Sequence, residues 1–128
     1  MTISKHPIRP HMTRQIPDQF SWIDHRLVRD RHIDHLSHQA AALYLFLVTV
    51  GDARGLSYYG AKTLEKRLNM DAVELEQACE MLVRHGLVAY RDPLYQVLAL
   101  DQRRDVASGT DNPCSLAEIL QKAMGGAP

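Results

Sequence analysis

Apolar positions change their spacing several times along this chain, and each change marks an element. From 38 to 50 nearly every residue is apolar: Ala40, Ala41, Ala42, Leu43, Leu45, Phe46, Leu47, Val48 and Val50. Ser37 is a suitable N-cap, so a helix from His38 to about Val50 is expected. A helix apolar all round needs cover on more than one side, from its own domain, the flanking segments or a second subunit. Residues 51–55 form a loop whose two glycines do not make a phosphate-binding motif. Leu56-Ser57-Tyr58 has the length and character of a short strand. Leu64 and Leu68, four apart, give residues 61–68 one apolar helical face. A turn at Asn69-Met70-Asp71 follows. Leu75, Ala78 and Leu82 then recur at i, i+3 and i+7, which predicts a second helix from Ala72 to His85, with Asp71 as its cap and Gly86 as its left-handed stop. His85 sits near the negative end of that helix dipole. Beyond it lie two strand-like apolar runs, 87–90 and 94–100, joined by Arg91-Asp92-Pro93. Pro93 suits a turn and cannot donate to a central ladder.

Helix, turn, helix, glycine stop and hairpin, in that order, predict a winged helix-turn-helix. The expected fold class is mainly α with a small β-hairpin, the domain spanning residues 20–100 with an N-terminal extension and an extra C-terminal helix. Its head requires Leu75, Ala78 and Leu82 to point inward against Leu64, Leu68 and the 87–100 ribbon. Residues 1–19, with Pro7, Pro10 and Pro17 among polar and basic groups, read as a flexible basic arm, either a DNA-tracking tail or a solvated terminus. Between 20 and 36, Phe20, Trp22, Ile23, Leu27, Val28, Ile33 and Leu36 are too dense for a free tail. An extended lead-in and a short helix packed on the body are expected there, anchored by Trp22. Residues 101–114 read as a polar linker. Ser115-Leu116-Ala117-Glu118 matches a capping box, and Leu116, Ile119, Leu120 and Ala123 follow at helical spacing, so 115–128 reads as an amphipathic helix. It either docks on its own domain or serves dimerisation or a partner.

Composition narrows the class. A chain of 128 residues suits one domain with a real core. No run is long and apolar enough to span a bilayer, and the N-terminus lacks a signal-peptide pattern, so a cytoplasmic protein without membrane contact is expected. Neither Cys79 nor Cys114 belongs to a zinc-type spacing. Cys79 is expected as a small core residue, and a disulfide between the two is not expected in a reducing compartment. His32, His35 and His38, with His25 and Asp34 nearby, invite a metal reading. Steps of three stay on one face only while a helix continues, and Ser37 opens a new one. Surface histidines at a junction are the expectation, with no metal and no cofactor. No Ser/His/Asp order or paired carboxylate stands in a recognisable context, so no catalytic residue and no enzyme activity are expected. Net charge is zero. Its excess positive part lies in residues 1–38, which carry six basic and four acidic side chains.

Leu43-Tyr44-Leu45-Phe46-Leu47, Gly55-Leu56-Ser57, Thr63-Leu64-Glu65-Lys66-Arg67-Leu68, Ala78 with Leu82, Gly86-Leu87-Val88 and Tyr95-Gln96-Val97 resemble the winged helices of bacterial and phage replication-initiation and primosome proteins. They are also similar to winged-helix transcription regulators. The resemblance covers about residues 20–100. It implies binding to double-stranded DNA, with the second helix of the pair in the major groove and the wing near phosphates. The residues modify that picture. The second helix carries Asp71, Glu74, Glu76 and Glu80 against Arg84, and carboxylates facing phosphates repel. Gln77 is its one good base-reading side chain. The wing offers Arg91. The first helix carries Lys62, Lys66 and Arg67, with Thr63 beside them to give a phosphate a hydroxyl. The candidate DNA contacts are therefore Lys62, Thr63, Lys66, Arg67, Gln77, Arg84 and Arg91, with Arg26, Arg29 and the arm adding backbone contacts. The alternative for the cations is a solvated helix face. The expected function is a DNA-binding transcription regulator or a replication or mobile-element accessory factor, acting as a homodimer or with a protein partner. The competing expectation is a winged helix used for protein contacts or oligomerisation in a larger nucleoprotein assembly, with weak or no DNA binding of its own.

Overall fold

The computed structural model describes residues 4–100. The expected polar linker, the C-terminal helix and Cys114 lie outside the described residues. The elements are α1 (Arg26–Arg29), α2 (His38–Val50), β1 (Leu56–Tyr58), α3 (Ala61–Leu68), α4 (Ala72–Arg84), β2 (Val88–Arg91) and β3 (Leu94–Val97), with short 3-10 turns at Pro10–Met12 and Ile33–His35. The three strands form one antiparallel sheet in the order β1-β3-β2. In register, Ser57 faces Tyr95 across one ladder and Tyr90 faces Tyr95 across the other. Four helices and a small antiparallel sheet in this order are compatible with a winged-helix layout.

Local chemistry sets most boundaries. The Ser37 hydroxyl accepts from the Ala40 amide at 3.1 Å and starts α2. Asp71 starts α4 by accepting from the Glu74 amide at 2.8 Å, and the Glu74 carboxylate accepts in return from the Asp71 amide at 2.9 Å. That reciprocal pair is a full capping box. Between α3 and α4, Asn69 takes the left-handed conformation (φ 57°), which lets the chain reverse within three residues. Gly86 (φ 76°) ends α4, and the Leu87 amide donates back to the Leu82 carbonyl at 3.0 Å. β2 is as long as the apolar run that suggests it but shifted by one residue to take in Arg91, whereas β3 is shorter than its run and stops at Val97.

The core joins α2, α3, α4 and the sheet. Leu43, Leu47, Leu64, Leu82, Leu87 and Val88 are fully buried, with Ala40, Ala78, Leu75 and Tyr95 beside them. Leu68 packs against this core from partial exposure. The all-apolar α2 is covered mainly by its own chain: its most extensive packing is against α4, then β3. Leu45 alone of its leucines is largely exposed.

The 20–36 segment contains the expected short helix, α1, but not the expected anchor. Trp22 is not an anchor; it is 73% exposed, and Phe20, Ile23 and Val28 are exposed too. Leu27 is the buried anchor, with Leu36 partly buried behind it. The segment before α1 is extended and unpaired with the sheet. It is held by the Ser21 hydroxyl, which donates to the Thr49 carbonyl at 3.0 Å, so its aromatic rings lie over the body instead of in it.

Two substitutions at left-handed glycines separate packing from backbone strain. A Cβ at Gly55 (φ 82°) would lie 2.7 Å from the Val97 carbonyl oxygen, whereas one at Gly86 would meet open space. Gly86→Ala is expected to cost about 1–2 kcal/mol, the conformational penalty alone. Gly55→Ala is expected to cost more, because the β3 backbone must also move. Urea unfolding of both variants measures the difference. Leu82→Ala, at the centre of the core, should cost about 2–5 kcal/mol in the same assay.

Candidate nucleic-acid interface

Burial decides what α3 offers. Leu64 and Leu68 turn to the core, so Lys62, Thr63, Lys66 and Arg67 occupy the exposed sector of the same two turns. Lys62 and Lys66 are one turn apart, as are Thr63 and Arg67. The Lys62 side chain is 93% exposed and approaches Glu65 at 3.8 Å. That pair is too solvated and long to hold the ammonium in place. Lys66 and Arg67 have no carboxylate partner among the described residues. The structure thus brings together four of the sequence-derived candidates on one short helix.

The exposed face of α4 carries Val73, Glu76, Gln77, Glu80, Val83 and Arg84. Two of the four acids that weigh against phosphate contact on this helix are already engaged, since Asp71 and Glu74 close the capping box. Glu76 and Glu80 remain on the open face, one turn apart. Gln77 and Arg84 stand on that same face, and Arg84 shares the last turn with the negative end of the dipole. Arg91 ends β2, exposed, opposite Leu94 at the tip of the hairpin.

The α1 candidates are placed differently. Arg26 is gripped by Asp24, with Nη2 2.7 Å from Oδ2 and Nε 3.1 Å from Oδ1. This bidentate fork and the Arg26 amide, which also donates to Asp24, hold the Asp24 carboxyl down at about 2. Arg29 is largely exposed and lies 3.6 Å from Asp30. The Asp-x-Arg spacing 24–26 was the available sign that Arg26 has a local partner; its geometry depends on the turn at His25, which residue types do not reveal.

The remaining chemistry-bearing groups are local. His35 stacks on His85 with ring centroids 5.5 Å apart, joining the turn before α2 to the end of α4. Tyr90 stacks on Tyr95 at 4.4 Å, and its hydroxyl donates to Asp92 at 2.9 Å. Burial raises the Tyr95 hydroxyl far above its ordinary value. Cys79 is half-buried against the core, and burial raises its thiol, so it is not poised as a thiolate nucleophile.

A comparison of the chain with protein-family models, with curated proteins and with solved structures finds no match.

Desolvation, reinforced by the positive charges of His35 and Arg84, lowers the His85 imidazole below its usual 6.5. A histidine lowered in the folded state favours its neutral form there. Its stabilising contribution is present above the unfolded value and is lost as pH falls below it. The His85 ring resonance in an NMR titration should therefore have a midpoint below 6.5, and His35→Gln should move it upward. A midpoint that ignores the substitution would remove His35 from the cause.

Proposed function

We propose that this chain is a DNA-binding winged-helix protein, a transcription regulator or a replication or mobile-element accessory factor. One observation carries the reading. A helix-turn-helix followed by a hairpin presents Lys62, Lys66 and Arg67 on one exposed helix sector, two of them without an acidic partner among the described residues. Phosphate neutralisation supplies most of the affinity of such domains, so cations held on a rigid element beside a protruding helix are the expected footprint. In this reading Lys62, Lys66 and Arg67 contact phosphates and Thr63 adds a hydroxyl. Gln77 and Arg84 face base edges or the adjacent backbone, and Arg91 meets a phosphate at the wing. Arg29 adds a backbone contact, whereas Arg26 reaches DNA only if its fork with Asp24 opens. Two copies on a two-fold site would double the weak cationic surface of one, which favours a homodimer on duplex DNA.

A second reading has its own observation. The open face of α4 pairs Val73 and Val83 with Glu76 and Glu80, a composition suited to a protein surface and unsuited to phosphates. On that reading the domain is an interaction or oligomerisation module in a nucleoprotein assembly.

Fluorescence anisotropy with random duplex at several salt concentrations separates the two. DNA binding predicts that replacing Lys62, Lys66 and Arg67 together by alanine weakens affinity. It should also flatten the slope of log affinity against log salt by about 0.9 for each phosphate no longer neutralised. Unchanged affinity would remove the assigned surface. No binding by the native chain at low salt, with Glu76→Lys and Glu80→Lys creating it, would favour the protein-contact reading.

A further inference from the structure

A cavity of about 560 Å³ opens between the 20–24 segment, the C-terminal half of α2, the 51–55 loop and the 96–100 stretch. Most of its lining is apolar, from Phe20, Trp22, Val48, Val97 and Leu100, with Asp52 and Arg54 in its polar part. Two of those residues, Phe20 and Trp22, are large aromatics left mostly in water. Burying such a ring is worth a few kcal/mol, and an exposed apolar concavity of this kind marks a contact site. The 20–24 segment is tied to the end of α2 by the Ser21–Thr49 hydrogen bond and leads into the buried Leu27.

We propose that the occupant is the amphipathic C-terminal segment of the same chain, residues 115–124. Three observations select it. Leu100, the last described residue, itself lines the cavity, so the remaining chain departs from its rim. Residues 101–114 can reach at most roughly 50 Å when extended, ample to return a short helix to the place it left. The segment also has the complementary surface: in a helix, Leu116, Ile119, Leu120 and Ala123 fall within one sector, while Glu118, Gln121 and Lys122 fall on the opposite side. A tether of this length raises the local concentration to the order of millimolar, which favours the chain's own segment over that of a second copy. Docking there covers Phe20 and Trp22 and closes the apolar rim beside α2.

Trp22 is the single tryptophan of the sequence, so the full chain carries its own probe. Acrylamide quenching of Trp22 emission is measured in the native chain, in an Ile119→Glu/Leu120→Glu variant and in a Gln121→Glu/Lys122→Glu control, each over a dilution series. The proposal predicts a blue-shifted, protected Trp22 in the native chain and control. In the apolar-face variant the quenching constant should rise several-fold, and amide exchange at 51–55 and 97–100 should speed up. Protection should not depend on concentration. Equal quenching in the native and apolar-face proteins would overturn it. So would protection that disappears on dilution, which would make a second copy the occupant.

Discussion

Everything else in this domain hangs on the packing of α2 against α4, with β3 closing one side. Each helix brings a fully buried alanine, Ala40 and Ala78, next to fully buried leucines, Leu43, Leu47 and Leu82. Burying these side chains together takes the apolar faces of both helices out of water in one contact. Leu64 of α3 and Leu87 and Val88 at the start of the hairpin complete the same core. The exposed sector of α3, the open face of α4 and the direction of the hairpin are therefore consequences of one packed contact.

This arrangement divides the electrostatics of the helix pair. The cations of α3 lie on its outer sector because the inner one is needed for Leu64 and Leu68. The acids of α4 fall into two groups. Asp71 and Glu74 satisfy orphan amides at the helix start, where carboxylates are stabilised by both hydrogen bonds and the dipole. Glu76 and Glu80 have no such role in the fold. The surface that results is neither uniformly basic nor neutral: a cationic short helix stands beside a longer helix with apolar and acidic side chains. That mixture is the physical reason two functional readings compete, and it locates the competition at Glu76 and Glu80.

The helix pair was legible because several local signals agreed. Leucine spacing, Asp71, Gly86 and Pro93 all pointed to the same boundaries, and α2 and the β1 strand also lie where the pattern places them. In the 20–36 segment the short helix was legible but its anchor was not, because apolar content does not say which face of a body a segment meets. Trp22 has the composition of an anchor and the location of a rim residue, while the smaller Leu27 is buried. For the candidate site, residue type and i, i+4 spacing were enough to group Lys62 with Lys66. The partner of Arg26 required a turn geometry that composition does not carry. The Asp71–Glu74 reciprocity was visible as Asp-x-x-Glu ahead of an apolar run, and it changes how the acidity of α4 is weighed.

The strand order has a consequence for how the sheet closes. β3, the last strand among the described residues, is the central one, and β1 pairs with nothing else in the sheet. β1 has no ladder until Leu94–Val97 is in place, whereas α2, α3 and α4 close their hydrogen bonds within themselves. Pairing distant in sequence is slow to form relative to helices. The sheet therefore depends on its most sequence-distant pairing, and β3 seals the edges of both neighbours at once.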